Sequence, residues 1–118
     1  MFYKFKRAIK NLRDWLPIIL RDNHWDYRYL YDILYRKLEL KEEFFRSDKS
    51  HIADWEQVAN EIKDVKDALR RLMDDEYVLV EEVMKDARAS VKKEEELKKL
   101  DMDIVFDGMK RNIEKWWD

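Results

Sequence analysis

The feature that most constrains the fold is a long run of apolar residues at helical spacing in the middle of the chain. Between Ile52 and Met73, apolar side chains recur at steps close to a heptad repeat. This spacing places them on one narrow seam of an α-helix, as in a helical hairpin or a coiled coil. The seam consists of Ile52, Trp55, Val58, Ala59, Ile62, Val65, Leu69, Leu72 and Met73. We therefore predict a helix that packs along its length against a neighbour.

Turn-forming residues are nearly absent. The 118 residues include one glycine and one proline, whereas these residues usually make up about 7% and 5% of a chain. Hairpin and Greek-key topologies need such residues at their turns, and helices do not. The length suits one domain with one core. We predict an all-α fold, a compact bundle of about five helices in a single domain, 1–118, with a long central helical hairpin.

Apolar periodicity and turn signals predict the helix boundaries. The first helix should end just before Pro17, because the residue that precedes a proline disfavours the helical conformation. Residues 18–20 then form an apolar linker, Asp22 or Asn23 caps the next helix, and Ser50 caps the one after it. Gly108 is expected to lie off the apolar face of the last helix. The predicted helices are 2–16, 24–45, 51–74, 77–99 and 102–117.

Cysteine content and hydropathy restrict the compartment. The chain has no cysteine, so it can form neither a disulfide scaffold nor a thiolate metal site, and a reducing compartment suits it. The apolar stretch 15–20 is far too short to span a bilayer, and no signal peptide is apparent. We expect a cytoplasmic protein without membrane insertion.

Charge is unevenly distributed. The first thirteen residues carry five bases, Lys4, Lys6, Arg7, Lys10 and Arg13, and no acid. Such a segment could steer an anionic ligand, nucleic acid or a membrane. The simpler expectation is that this helix leans on the acidic half of its own chain. DNA binding is a third and weaker alternative, because a basic N-terminal helix in a chain with a formal net charge of only −2 gives it modest support. We therefore regard nucleic acid as an unlikely partner.

The second predicted helix has an unusually wide apolar arc. One sector holds Tyr27, Leu30, Tyr31, Leu34, Leu38 and Phe45, and the adjoining sector holds Tyr29, Ile33, Leu40 and Phe44. A helix with such an arc is expected to be covered on two sides, by other helices or by another subunit. Arg28, Asp32 and Arg36 form a ladder on the remaining face, which we expect to be solvated.

Three charged residues, Asp26, Lys37 and Lys41, fall within the wide arc. A charge that faces a packed layer must be paired, hydrogen-bonded or exposed to a ligand, because unpaired burial is costly. Two lysines four residues apart form an anion site if nothing neutralises them. Alternatively, acids on the later helices pair with them.

Aromatic residues surround these charges. Three tyrosines at helical spacing form a tyrosine stripe, Tyr27, Tyr31 and Tyr35, and Trp25 lies in the turn before it. These rings could stack on nucleobases, with Arg28 beside them, but aromatic residues at helical spacing also serve as packing. The predicted ligand-binding residues are Trp25, Asp26, Tyr27, Arg28, Tyr31, Lys37 and Lys41. The pair Trp116 and Trp117 is expected either to fold back on the core or to form a subunit interface.

Enzymatic chemistry finds little support. Glu39, Glu42, Glu43, Glu61 and Asp64 superficially resemble the magnesium-binding carboxylates of all-α nucleotide pyrophosphatases. Their order departs from the pattern of that family, and the first three are expected to point away from the apolar arc. The two histidines form no metal-binding pair, and the only glycine excludes a phosphate loop. We therefore predict a non-enzymatic protein without a metal or cofactor.

The segment RDNHWDYRYLYDILYRKL and the ending NIEKWWD resemble those of a group of small proteins encoded by tailed bacteriophages. The matching residues are Trp25, Asp26, Tyr27, Tyr29, Leu30, Leu34, Lys37, Leu38, Trp116, Trp117 and Asp118. The resemblance implies a role in the cytoplasm of an infected bacterium, accessory to infection and exerted by binding. One possibility is an oligomeric sponge that sequesters a cyclic oligonucleotide signal of bacterial immunity. The alternative is an inhibitor or regulator that docks a helical face on a host protein.

Overall fold

Helices make up nearly all of the structure, which is a computed structural model that describes residues 2–22 and 26–116. The helices are α1 (Phe2–Arg21), α2 (Arg28–Arg46), α3 (Trp55–Asp74), α4 (Val80–Lys85) and α5 (Ala87–Asn112), followed by a 3₁₀ turn at Ile113–Lys115. The predicted all-α bundle of about five helices is confirmed. No helix in the described ranges combines the length and hydropathy that crossing a bilayer requires.

Helix α3 lies at the centre of the bundle, with α2 and α5 packed antiparallel to it. At one end, Arg28 Nη2 donates to the carbonyl oxygen of Met73 at 2.7 Å. At the other end, Arg46 Nη2 donates to Asn60 Oδ1 at 2.9 Å. Helices α2 and α3 form the predicted central hairpin, and α5 runs parallel to α2.

The core forms around the seam of α3, as the heptad-like spacing predicted. Its buried α3 members are Val58, Ala59, Ile62, Val65, Ala68 and Leu69. Helix α2 contributes Leu38 and Phe45, and the last part of the chain contributes Val105 and Trp116. Burying these side chains stabilises the fold by roughly 1.5–3 kcal/mol for each large residue.

Helix α1 continues through Pro17 to Arg21, so the predicted break before the proline is wrong. A proline inside a helix removes one backbone hydrogen bond, here to the carbonyl of Arg13. Arg13 is exposed, so water can satisfy that carbonyl. The segment 18–20, predicted as a linker, is therefore helical.

The last two helices divide at a different place from the one predicted. The break lies at Asp86, where the backbone is extended (φ −155°, ψ 96°) and the side chain accepts a hydrogen bond from the backbone N–H of Ala89. That interaction caps α5 and satisfies a donor that the helix itself leaves free. Residues 100–101, where we predicted a break, lie inside α5. The Asp101 side chain points into the bundle, where it accepts hydrogen bonds from Arg71 and Tyr77.

Gly108 is buried against α3, so its predicted position off the packed face is wrong. A Cβ atom added to Gly108 would lie 2.8 Å from Cγ2 of Val65. The glycine therefore allows α5 to approach α3 more closely than any other residue would.

Helix α1 stands apart from the other helices. None of its residues is buried, and the molecule measures 62 × 35 × 22 Å. Its radius of gyration of 17.7 Å exceeds the roughly 13–14 Å expected for a spherical domain of this length. The expectation that α1 leans on the acidic half of its own chain is wrong: its acid Asp14 contacts the base Arg36 of α2.

Candidate functional site

The start of α2 is fixed by two residues that were predicted to bind ligand. Asp26 Oδ1 accepts a hydrogen bond from the backbone N–H of Arg28 at 3.0 Å. The guanidinium of Arg28 is held by the carbonyl of Met73. Both residues therefore have structural partners, and Asp26 is not an unpaired charge on a covered face. Trp25, also predicted, lies outside the described residues.

The predicted tyrosine stripe divides into two half-buried rings, Tyr31 and Tyr35, and one exposed ring, Tyr27. Tyr27 and Tyr31 meet edge to face, with 5.7 Å between ring centroids. Tyr31 is half-buried, and its hydroxyl lies 3.5 Å from Sδ of Met102 on α5. Tyr31 thus packs α2 against α5, whereas Tyr27 remains open to solvent.

Lys37 and Lys41 lie one turn apart further along α2. Lys41 Nζ donates to the carbonyl oxygen of Trp116 at 2.9 Å, and Lys37 is exposed. Neither lysine forms an ion pair with a carboxylate of residues 2–22 or 26–116. We had considered that acids of the later helices pair with both lysines. In the described ranges they do not.

Lys41 differs in this respect from every other half-buried cation of the described chain. The others are Arg36, Lys66 and Lys98, and each of them pairs with a carboxylate. Burial lowers the pKa of Lys41, and the positive charge of Lys37 lowers it further. A cation with no carboxylate partner is the kind of group that an anionic ligand would stabilise.

Two exposed apolar residues, Ile33 and Phe44, lie on the same side of α2 as the lysines. Ile33 is one turn before Lys37, and Phe44 is just under one turn after Lys41. We call Ile33, Lys37, Lys41 and Phe44 the lysine face. Tyr27 precedes Lys37 by ten residues, or about 15 Å of helix. The structure therefore does not gather the predicted residues into one small site: the lysines stand apart from Asp26, Tyr27 and Arg28.

Trp116 borders the lysine face from the core. Only 5% of this residue is exposed, so it folds back on its own chain, which was one of the two predicted alternatives. Its indole Nε1 is buried and has no hydrogen-bond acceptor in the described structure. Trp117, the other predicted interface residue, lies outside the described residues.

Among the described residues, the buried charges are two acids, Glu42 and Asp101, and neither was among the predicted ligand-binding residues. Glu42 was expected to point away from the apolar arc, but it is buried between α2 and α3, where it pairs with Arg46 at 2.8 Å and Lys66 at 2.6 Å. Burial alone would raise the pKa of Glu42, but hydrogen bonds from Lys66 and Arg46 outweigh burial and lower it. Its spacing from Leu38 and Phe45 on α2 was the signal that could have revealed it.

Asp101 of α5 is the second buried acid. Arg71 Nη2 donates to Asp101 Oδ1 at 2.9 Å, and the hydroxyl of Tyr77 donates to Oδ2 at 2.7 Å. The hydrogen bond from Arg71 to this carboxylate raises the pKa of Arg71. Burial and the hydrogen bond to Asp101 raise the pKa of Tyr77. No periodic pattern in the sequence pointed to this cluster.

A polar cleft of about 360 Å³ lies between α1, α2 and the end of α3. The ladder Arg28, Asp32 and Arg36 borders it and an adjoining depression; Arg28 is exposed, as expected of a solvated face, whereas Asp32 and Arg36 are half-buried. Arg36 is bound there to the carbonyl of Asp14 at 3.0 Å and to Glu39. The charged residues that line the cleft are Arg13, Asp14, Arg21, Asp32, Arg36, Glu39 and Arg70.

The balance of charge makes this cleft a weaker anion site than the lysine face. Four arginines share the cleft with three carboxylates, and an incoming anion would have to compete with those acids. The lysines have no such competitor in the described ranges. Three N–H donors of Lys37 and two remaining donors of Lys41 are available to bind phosphate oxygens.

The described residues contain no cluster of three or more histidine, cysteine or acidic side chains placed to hold a metal ion. No protein-family model matches the chain, and neither a curated protein nor a solved structure shows significant similarity to it.

Proposed function

We propose that this protein is a non-enzymatic binding protein that captures a small, phosphate-bearing anion on the lysine face. One observation carries the proposal: Lys41 is the half-buried cation without a carboxylate partner in the described structure, and Lys37 adds a second positive charge one turn away. A bound phosphate would supply the missing negative charge.

The electrostatics of the pair favour an anion over a neutral ligand. Two ammonium groups on one side of a helix repel each other, and partial burial makes the charge of Lys41 costly. A phosphate that bridges the two groups removes both penalties and gains charge-assisted hydrogen bonds. Each such bond contributes about 1.5–3 kcal/mol, which corresponds to roughly 10- to 100-fold in affinity.

The apolar neighbours define the rest of the ligand. Ile33 and Phe44 offer exposed apolar surface on either side of the lysines, and the ring of Phe44 is available to stack on a planar base. A cyclic oligonucleotide has both phosphates and planar bases. Tyr27 is too far from Lys37 and Lys41 to stack on a base next to the phosphate that they bind. Phe44, and not the tyrosine stripe, is therefore the proposed stacking surface.

The resemblance to small phage proteins supports a role for this ligand binding during infection. A protein that removes a nucleotide signal of bacterial immunity needs only to bind it, and no reaction is required. We propose counter-defence by sequestration in the cytoplasm of the infected bacterium.

Isothermal titration against a panel of cyclic di- and trinucleotides tests the proposal. Lys37→Met should lower the affinity at least 10-fold, while the melting temperature remains unchanged, because Lys37 is exposed and has no ion pair in the described ranges. Lys92→Met is the matched control, since Lys92 is an exposed lysine of α5 and its replacement removes the same charge. It should leave the affinity unchanged.

Two results would contradict the proposal. If no member of the panel produces heat, nucleotide capture is wrong. If Lys37→Met binds like the wild type and Arg70→Gln does not, the polar cleft is the binding site instead of the lysine face.

A further inference from the structure

Helix α1 faces its own chain with the side that carries Asp14, Trp15 and Ile18, its three half-buried residues, and it turns a row of exposed apolar residues away. It contacts α2 through Asp14, whose carbonyl oxygen accepts a hydrogen bond from Arg36 Nε at 3.0 Å and whose carboxylate lies 3.7 Å from Arg36 Nη2. The apolar residues are on the opposite side of the helix and are between 46% and 71% exposed. They are Phe2, Phe5, Ile9, Leu12, Leu16 and Ile19, which we call the α1 stripe.

The spacing of the α1 stripe identifies the shape of what covers it. Its six members follow one another at steps of three, four, three, four and three residues. This is the pattern of alternating a and d positions in a coiled coil, whose narrow seam fits a second helix. A helix that packs on the broad core of a globular protein has a wider apolar arc.

We propose that the α1 stripe pairs with the α1 stripe of a second copy of this chain in a parallel, two-stranded coiled coil. The same seam on both partners satisfies the two-fold symmetry of most dimers. Within the seam, Ile9 at an a position and Leu12 at a d position favour two parallel strands, whereas the next pair, Leu16 at a and Ile19 at d, is the combination typical of larger assemblies.

The charges beside the stripe determine the orientation of the two helices. The positions that flank the seam on one side are Lys6, Arg13 and the exposed Leu20, and those on the other side are Ala8 and Trp15. In a parallel pair, each flank faces the opposite flank of the partner, so Arg13 lies across from Ala8. In an antiparallel pair, Lys6 would face Arg13 of the other copy, and two like charges would repel.

The geometry leaves room for this dimer. Because α1 contacts its own chain through the side opposite to the stripe, both bundles lie outside the helix pair. The exposed parts of the six side chains amount to on the order of 600 Å² per copy, close to the roughly 800 Å² that each partner buries in a standard interface. The lysine face is on another helix and stays free.

Sedimentation of the full chain over a range of concentrations tests the dimer. The wild type should reach twice the monomer mass of 14.7 kDa. Ile9→Lys, which places a charge in the seam, should remain monomeric. Asn11→Lys adds the same charge outside the seam and should dimerise like the wild type. Both variants should keep their melting temperature at low concentration, since α1 has no buried residue.

Orientation has its own test, because the chain has no native cysteine. In a parallel pair, two copies of Ile9 are opposite each other, so Ile9→Cys should form a disulfide-linked dimer under mild oxidation, and Asn11→Cys should not. If Ile9→Cys crosslinks only with Leu12→Cys, the helices are antiparallel and the proposed orientation is wrong.

Salt dependence and vesicle binding distinguish other occupants of the stripe. Self-association should strengthen with salt, because screening weakens the repulsion between two helices that each carry six bases and one acid. A wild type that remains monomeric at every concentration overturns the proposal. If that monomer floats with phosphatidylserine vesicles and Ile9→Lys does not, a lipid surface covers the α1 stripe. If the monomer does not float, the partner of the stripe is a different protein.

Discussion

The carboxylate of Asp101 joins three parts of the chain. It binds Arg71 at the end of α3 and Tyr77 in the connection that follows, and it belongs to α5. Only 5% of Asp101 is exposed, so its charge depends on these partners. A single side chain thus fixes the register between α3 and α5.

Replacing Asp101 should therefore destabilise the fold. Asp101→Asn removes the charge that balances Arg71 and should lower the free energy of unfolding by about 2 kcal/mol, less than for a fully buried pair because Arg71 is half-exposed. Urea denaturation measures this difference. Asp103→Asn, an exposed aspartate on the same helix, should change the free energy by less than about 0.5 kcal/mol. Equal effects would show that Asp101 has no special role.

Individual residues were predicted with mixed success, for a physical reason. Position on a helix wheel shows which side chains share a side of one helix, and it identified Lys37 and Lys41 as charges without an obvious partner. It cannot show which residue of another helix lies opposite. Arg71 and Asp101 are thirty residues apart in sequence, and only the packing of α5 on α3 brings them together.

Among the contacts between elements, α5 packs closely on α3 at Gly108. Gly108 faces Val65 there, and an added methyl group would come within 2.8 Å of the valine. In an exposed helix, exchanging glycine for alanine stabilises by about 1 kcal/mol. Here, overpacking should outweigh that gain, since it costs about 1–3 kcal/mol.

Gly108→Ala should consequently lower the melting temperature, with the net loss on the order of 1 kcal/mol. Val65→Ala should also destabilise, because it leaves a cavity. The double variant should be more stable than the sum of the two losses implies, because the methyl group added at position 108 would fill the cavity left by Val65→Ala. Calorimetry of the three variants measures this coupling, and strict additivity would show that the two residues do not press on each other.

Helix positions followed from the sequence more closely than helix ends did. The seam of α3 was visible because one apolar side must be buried and the pattern repeats over five turns. The ends depend on single interactions, such as the cap at Asp86, and on whether water can reach an unpaired carbonyl, as at Arg13. These local effects leave little trace in periodicity.

At the scale of the whole molecule, stability should depend on pH at both extremes. The pKa of Glu42 is lowered in the folded protein from its ordinary value of 4.5. The stability that the ionised Glu42 contributes is therefore fully present above pH 4.5 and is lost as the pH falls through the folded pKa. The pKa of Tyr77 is raised above 10.0. The unfolded chain therefore releases the tyrosine proton first, and stability falls as the pH rises beyond 10.

Denaturation profiles across this range test both signs. Glu42→Gln should reduce the loss of stability in acid, and Tyr77→Phe should reduce the loss in alkali, each without changing the other limb. Glu43→Gln is the control, because Glu43 is an exposed neighbour of Glu42 and should leave the profile unchanged. A profile of Glu42→Gln with the acid limb of the wild type would contradict the role given to this carboxylate.

The contact between Lys41 and Trp116 also affects when, during synthesis and folding, the lysine face takes its final form. It links residues 75 positions apart through the backbone carbonyl of Trp116, so no side-chain exchange at that position removes the acceptor. Long-range contacts close late because the chain must first lose the entropy of the intervening loop. On the ribosome, α2 and α3 can pair before α5 emerges, but Lys41 reaches its final position only when residue 116 has docked. The proposed lysine face is therefore complete only after residue 116 has docked on the bundle.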